Sequence, residues 1–325
     1  MRRVAPLAVV AGLLALLVAL CALSLVAGRV WIPLDRLGEA GDPRWAIITS
    51  LRVPRTLLAL AVGAALGLSG AVLQGYTRNP LADPGVLGVS SMASLGAVLT
   101  LYFNLTAPGA TAAFAMAGAA TGVLILLGLT GSAGGAITFL LAGVVLNVIA
   151  EAGLSLALML SPNPWAASEI VTWLLGSLSD RSFTDVWTAA PFIALGGMAL
   201  LLVGRDLDAL TLGETGARSL GVSLRRTQGL IAAGVGLACG ASVAVSGVIG
   251  FVGLIVPHLM RALVGGRPSS LLVPSALAGA ALLLAADILV RLIPAASEVR
   301  LGVAMAVLGG PFFLWRLISI RRRFA

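Results

Sequence analysis

The chain has 325 residues, 59% of them hydrophobic and only 10% charged, with a formal net charge of +8. A soluble domain carries about 25% charged residues, so this composition excludes a soluble globule and predicts an all-α polytopic membrane protein. All 21 basic residues are arginine, and without lysine there is neither a Walker A loop nor an imine-forming amine.

A spanning helix needs about 20 apolar residues, and the uncharged runs divide accordingly. Val4 to Gly28 is too long for the apolar core of a signal peptide and ends in no A-x-A-like site, so it is read as an uncleaved first helix. The second span runs from about Thr56 to Tyr76. Asn79-Pro-Leu-Ala-Asp-Pro-Gly follows, and its prolines forbid a continuous helix. Irregular backbone at membrane depth is tolerated only where protein buries it or it lines a cavity. This segment is therefore either a structural turn or a gate at the cytoplasmic mouth.

Pro84 to Ala150 carries no charge and has room for three spans, with breaks near Asn104–Gly109 and Gly131–Gly135. On the last of these, Asn147, Glu151 and Ser155 fall at i, i+4 and i+8 and share one helical face. A charge in the bilayer is costly. Glu151 must face a cavity, find a partner or be protonated, so the stripe either lines a translocation path or makes a hydrogen-bonded helix contact. Ser161 to Arg181 is too polar to span and predicts a short interfacial helix, with Trp165 and Trp173 at the depth that suits tryptophan. The sixth span covers about Val186 to Val203.

The longest hydrophilic stretch, Arg205 to Gln228, reads as two short helices around Gly213. Glu214 lies near the start of the second and Gly221 closes it. Gly229 to Arg261 holds two spans parted near Ser246–Gly250, and Ser270–Ile293 and Leu301–Ile320 complete a set of about ten. His258, Cys21 and Cys239 read as packing residues, too few for a Cys/His zinc site. Asp287 and Arg291 form an i, i+4 pair, read from the residues as an internal ion pair.

GAALGLSGA at 63–71 and GLACGASVAVSG at 236–247 place small residues at four-residue spacing, which predicts close helix packing. Their antiparallel spans leave room for an inverted repeat. With ten spans and cytoplasmic ends, thirteen arginines fall inside and eight outside. The excess fits the positive-inside rule and anionic membrane lipid rather than nucleic acid, despite a pI near 11.2.

Together these segments resemble the iron-chelate, haem and cobalamin permeases of bacterial ABC importers, the FecCD-type family. The resemblance is carried by LRVPRTLLALAVGAALGLSGAVLQGYTRNPLADPGVLGVSSMASLGA (51–97), LTLGETGARSLGV (210–222), GVIGFVGLIVPHLMR (247–261), LLAADILVRL (283–292) and LGVAMAVLGGPFFLW (301–315). It implies one permease domain over 1–325 in the bacterial cytoplasmic (inner) membrane, both termini cytoplasmic. It also implies a second permease subunit forming a homodimer, two cytoplasmic ATPase subunits and an extracytoplasmic substrate-binding protein. ATP and Mg would sit on the partner ATPase, leaving this chain without cofactor or enzymatic chemistry.

By position in the motifs, Gly213, Glu214, Arg218 and Gly221 match the elements that couple to the ATPase. Arg52, Arg55 and Arg291 match outward-facing arginines that dock the binding protein, and Asn79, Pro80 and Leu81 match the cytoplasmic gate. The implied cargo is a metal chelate, with ferric siderophore first as the family's commonest and haem or cobalamin next. Three positions depart from the pattern: Arg300 for proline, Met305 for threonine and Gly310 for alanine. Met305 is expected to line the pathway with Asn147, Glu151 and Ser155, and Arg300 to add positive charge at the outer mouth. The rival reading is an ion-coupled secondary carrier that uses Glu151 as its proton or sodium site.

Overall fold

A computed structural model of the chain describes residues 6–28, 43–131, 134–294 and 298–324. Arg2, Arg3, Arg29 and Arg36 of the charge count lie outside them. The helices are α1 (Pro6–Val26), α2 (Pro43–Ile47), α3 (Val53–Thr77), α4 (Val89–Tyr102), α5 (Ala110–Thr130), α6 (Ala136–Met159) and α7 (Pro164–Leu174). They continue with α8 (Phe183–Leu202), α9 (Gly204–Leu210), α10 (Gly213–Ser219), α11 (Leu224–Ser246), α12 (Val252–Val264), α13 (Pro268–Leu292) and α14 (Leu301–Phe324). Among the described residues, seven helical segments are long and apolar enough to cross a membrane. Shorter apolar helices, α4, α12 and the first part of α14, take the other three expected positions. The chain is a multi-pass membrane protein.

One expected boundary moves, and two expected spans are shorter than a full crossing. The second span begins not at Thr56 but at Pro43, because α2 runs into α3 through a π-helical turn over Ile48–Arg52. Pro54 has no N–H for the carbonyl four residues back, and the widened turn absorbs that mismatch. Helices α4 and α12 have 14 and 13 residues, about 20 Å each at 1.5 Å per residue. The hydrocarbon core is about 30 Å thick, so neither crosses as a full helix.

The missing length is irregular backbone, Arg78–Gly88 before α4 and Gly247–Phe251 before α12, with a 3-10 turn over Pro84–Leu87. Arg78 and Phe251 adopt left-handed φ values of 52° and 69° that turn the chain. The two stretches meet around a cavity of about 100 Å³ lined by Asp83, Pro84, Ser242, Ser246 and Phe251. Asp83 Oδ1 accepts from the Gly85 amide at 2.9 Å. Irregular backbone is thus buried against irregular backbone, the condition under which a membrane tolerates it.

The core lies along α3, α11 and α13, whose apolar windows are mostly buried, whereas α1, α5, α6 and α8 are mostly exposed at the rim. The small-residue stripe of α3 packs as expected. A methyl group at Gly63 or Gly67 would collide with the backbone of Gly279 or Ser275 on α13. On α11 a Cβ at Gly240 would stand 2.6 Å from Ala119 Cβ on α5. Cys239 is buried as a packing residue and reaches Ser69 Oγ on α3 at 3.4 Å.

Candidate functional site

At one end of the bundle, four segments are tied by charge. Asp287 on α13 is fully buried and accepts from Arg55 Nε of α3 at 2.9 Å. It also pairs with Arg291 Nη2, one turn on, at 2.7 Å. Arg55 bridges onward to Glu298, before α14, with Nη1 at 3.2 Å from Oε2. Arg291 donates to Ser24 of α1, to its carbonyl at 3.1 Å and its Oγ at 2.6 Å. Arg52 donates to the Leu25 carbonyl at 2.7 Å. Burial pushes the Glu298 carboxyl up, but hydrogen bonding and charge from Arg55 outweigh it and leave its pKa below the usual value.

The ion pair read into Asp287 and Arg291 is present. Arg52, Arg55 and Arg291, expected to face outward for docking, lie together at this end, Arg52 and Arg291 buried and Arg55 half-buried. Their guanidinium groups are turned inward because Asp287, Glu298 and the carbonyls at the end of α1 supply acceptors there. All three still line a cavity of about 280 Å³ with Asp180, Arg181 and Glu298. A second cavity of about 630 Å³ adds Ser179, Val299 and Arg300, which places Arg300 beside the charge network. Glu298, which the fold brings to Arg55, and Asp180, which lines both cavities beside it, have no signal in the sequence.

In the middle of the molecule, Ser91 Oγ on α4 donates to Asn147 Oδ1 at 2.5 Å, and Asn147 Nδ2 donates to Glu151 Oε1 at 2.8 Å. Glu151 therefore has a partner on its own helix. Glu151 and Ser155 are exposed, on a face of α6 shared with exposed Val144 and Val148. Met305 is not brought to this stripe. It is fully buried, on the inward face of α14 with Leu301 and Gly309, because the i, i+4, i+8 row that carries it is the row α14 packs inward. The expectation that Met305 lines the path is corrected accordingly.

At the opposite end, the hydrophilic loop folds into α9 and α10 around Gly213 (φ 89°) and closes at Gly221 (φ 85°), as the sequence predicts. Asp208 anchors it, accepting from Arg267 Nε at 2.7 Å and from Ser269 N and Oγ at 2.9 and 2.6 Å. Asp206 accepts from Thr227 Oγ1 at 2.6 Å. Glu214 Oε1 accepts from the Ala136 amide at 2.8 Å, and Gln228 Nε2 donates to Tyr76 Oη at 2.8 Å. The outer side of this folded loop leaves Leu212, Arg218 and Leu220 exposed. Nearby, Asn79, Pro80 and Leu81 are exposed, with Asn79 Oδ1 accepting from the Leu81 amide at 3.0 Å.

The chain is similar along nearly its whole length to known transport proteins. An uncharacterized ABC transporter permease protein, YvrB of Bacillus subtilis (strain 168), is 41% identical over 86% of this chain and 81% of its own length. The hemin transport system permease protein HmuU of Yersinia pestis is 37% identical over 99% and 98% of the two chains. A solved structure, described as an inward-facing conformation of the metal-chelate ABC transporter type, superposes with a TM-score of 0.88. It is 31% identical and covers 95% of this chain and 98% of that one. The profile of the FecCD transport family matches residues 16–319, and with these helices, breaks and charge clusters in that order, the chain belongs to that family.

Proposed function

We propose that this chain is the membrane-spanning permease subunit of a binding-protein-dependent ABC importer that carries a metal chelate by ATP-driven alternating access. The observation that carries the reading is the α9–α10 loop. It is a polar connector folded into two helices, anchored by Asp208 and Asp206, and it presents Leu212, Arg218 and Leu220 outward. A connector held in shape with exposed apolar and basic groups suits docking to a protein. In a chain without lysine, that protein is the ATPase, which binds ATP and Mg.

Two copies of the chain would enclose the path, with the Asn147–Glu151–Ser155 face of α6 toward it and Asn79, Pro80 and Leu81 at the cytoplasmic gate. That assembly sits in the bacterial inner membrane with both termini inside. An extracytoplasmic binding protein delivers the chelate at the Arg52, Arg55 and Arg291 end, reaching them through the 280 Å³ cavity. Ferric siderophore ranks first as cargo and haem or cobalamin next. The secondary-carrier reading is not favoured, since a relative named as an ABC transporter permease matches 86% of this chain and a solved structure of the metal-chelate ABC transporter type covers 95% of it.

Purified chain in liposomes with its ATPase and binding protein is expected to take up one of ferric siderophore, haemin or cobalamin only with MgATP. Uptake driven by a proton or sodium gradient without ATP, and abolished by Glu151→Gln, would restore the carrier.

A further inference from the structure

Helix α6 begins without a cap of its own. Its N-cap residue is Gly135, in an extended conformation, with no side chain to accept from the free amides of the first turn. Those amides are ordinarily satisfied by a Ser, Thr, Asp or Asn at that position. Here the acceptor arrives from α10: Glu214 Oε1 takes the Ala136 N–H at 2.8 Å across 78 residues of sequence. A carboxylate at a helix N-terminus makes a charge-assisted bond and complements the helix dipole.

The bare backbone at 135 is part of the fit. A Cβ there would stand 2.7 Å from Glu214 Oε1 and 2.9 Å from Oε2. Glu214 lies in the first turn of its own helix, yet α10 has no side-chain cap bond; the carboxylate serves α6 instead. A second tie holds the same corner. Gln228 Nε2 on α11 donates to the Gly134 carbonyl at 2.7 Å and to Tyr76 Oη at 2.8 Å. The Tyr76 ring meets Phe139 of α6 edge-on, with centroids 5.5 Å apart.

We infer that Glu214 is a positioning residue that latches α10 to the start of α6, so that displacement of α10 is transmitted along α6 to the Asn147–Glu151–Ser155 stripe. A helix rises 1.5 Å per residue, which puts Asn147 about 17 Å and Ser155 about 29 Å along the axis from Ala136. A push at the first turn therefore moves groups deep in the membrane without any intervening contact. The inference rests on α9–α10 being the ATPase-facing surface.

The test uses the full chain in lipid nanodiscs, with Cys21 and Cys239 replaced by alanine and a reporter at Val148→Cys, on the exposed face of α6. Glu214→Ala removes the acceptor. Gly135→Ala drives the carboxylate away without altering α10, and Glu214→Gln keeps an acceptor oxygen. In the chain alone, both alanine variants are expected to speed amide exchange over Ala136–Phe139 about fivefold, the opening that follows loss of one helix cap. Glu214→Gln is expected to stay within about twofold, since a neutral acceptor still caps.

With the ATPase bound, MgATP is expected to change the maleimide labelling rate at Val148→Cys in the parent and in Glu214→Gln. Both alanine variants are expected to lose that response while still binding the ATPase and hydrolysing ATP. Unchanged amide exchange in the alanine variants, or a nucleotide response that survives in both, overturns the latch. If Glu214→Ala alone releases the ATPase and Gly135→Ala behaves as the parent, Glu214 is a docking contact and the latch is wrong. A parent chain that binds no ATPase overturns the coupling reading and the transmission together, and the exchange result then judges the Glu214–α6 bond by itself.

Discussion

The two ends of the bundle use arginine in opposite ways. At one end Arg52 and Arg291 are buried, and Arg55 and Arg291 share the carboxylate of a fully buried Asp287. At the other, Arg218 stands exposed on α10, while the neighbouring carboxylates Asp206, Asp208 and Glu214 face inward and hold the loop. The first arrangement locks helices together and the second presents a surface. A charge removed from its hydration shell must be paired, so the first cluster is sensitive to any loss. An exposed charge is bound weakly by its surroundings, so the second is free to be spent on a partner.

That contrast is broken most directly at Asp287. Asp287→Ala leaves Arg55 and Arg291 without their shared carboxylate and is expected to cost about 3–5 kcal/mol, read as a large fall in the thermal midpoint of the purified chain. A midpoint within error of the parent would show that the cluster is not a structural lock.

Glu298→Gln sharpens the same comparison through pH, with an expected cost of about 1 kcal/mol at neutral pH because Glu298 is partly solvated. The Glu298 pKa is depressed in the fold from its ordinary 4.5. Its contribution is therefore complete above that value and is lost as pH falls through the lower, folded pKa. The stability gap between parent and Glu298→Gln should close on acidification below about pH 4. A gap that stays constant through that range would mean the carboxylate is not held by Arg55.

Arg218→Ala has the smallest expected stability effect, within about 0.5 kcal/mol. Its consequence should be functional: ligand-stimulated ATP hydrolysis falls while the thermal midpoint holds. A midpoint drop comparable to that of Asp287→Ala would erase the distinction between the two ends.

Features set by neighbours in sequence were legible before the fold was known. Asp287 and Arg291 are one helical turn apart, so their pairing follows from spacing. The short helix expected within Ser161 to Arg181 is α7, which Asn163 Oδ1 caps by accepting from the Ala166 amide at 2.9 Å. Gly213 and Gly221 punctuate the loop because both sit at positive φ. The small residues of α3 announced close packing but not its partners, which are α13 at Gly63 and Gly67 and α12 at Gly70. The start of the second span was misplaced because a π turn accommodating Pro54 has no simple sequence signature.

Composition and periodicity were therefore sufficient for the class of protein, the order of its helices, the two membrane breaks and the folded loop, since each depends on hydropathy or on contacts within a few residues. Side-chain direction and long-range pairing were not. Arg55 meets Glu298 across 243 residues, Glu214 meets Ala136 across 78, and Met305 turns inward because that row of α14 is the one that packs. These pairings depend on which helix faces lie together, and the free energy of burying or pairing a group is set by that packed neighbourhood rather than by the residue that carries it.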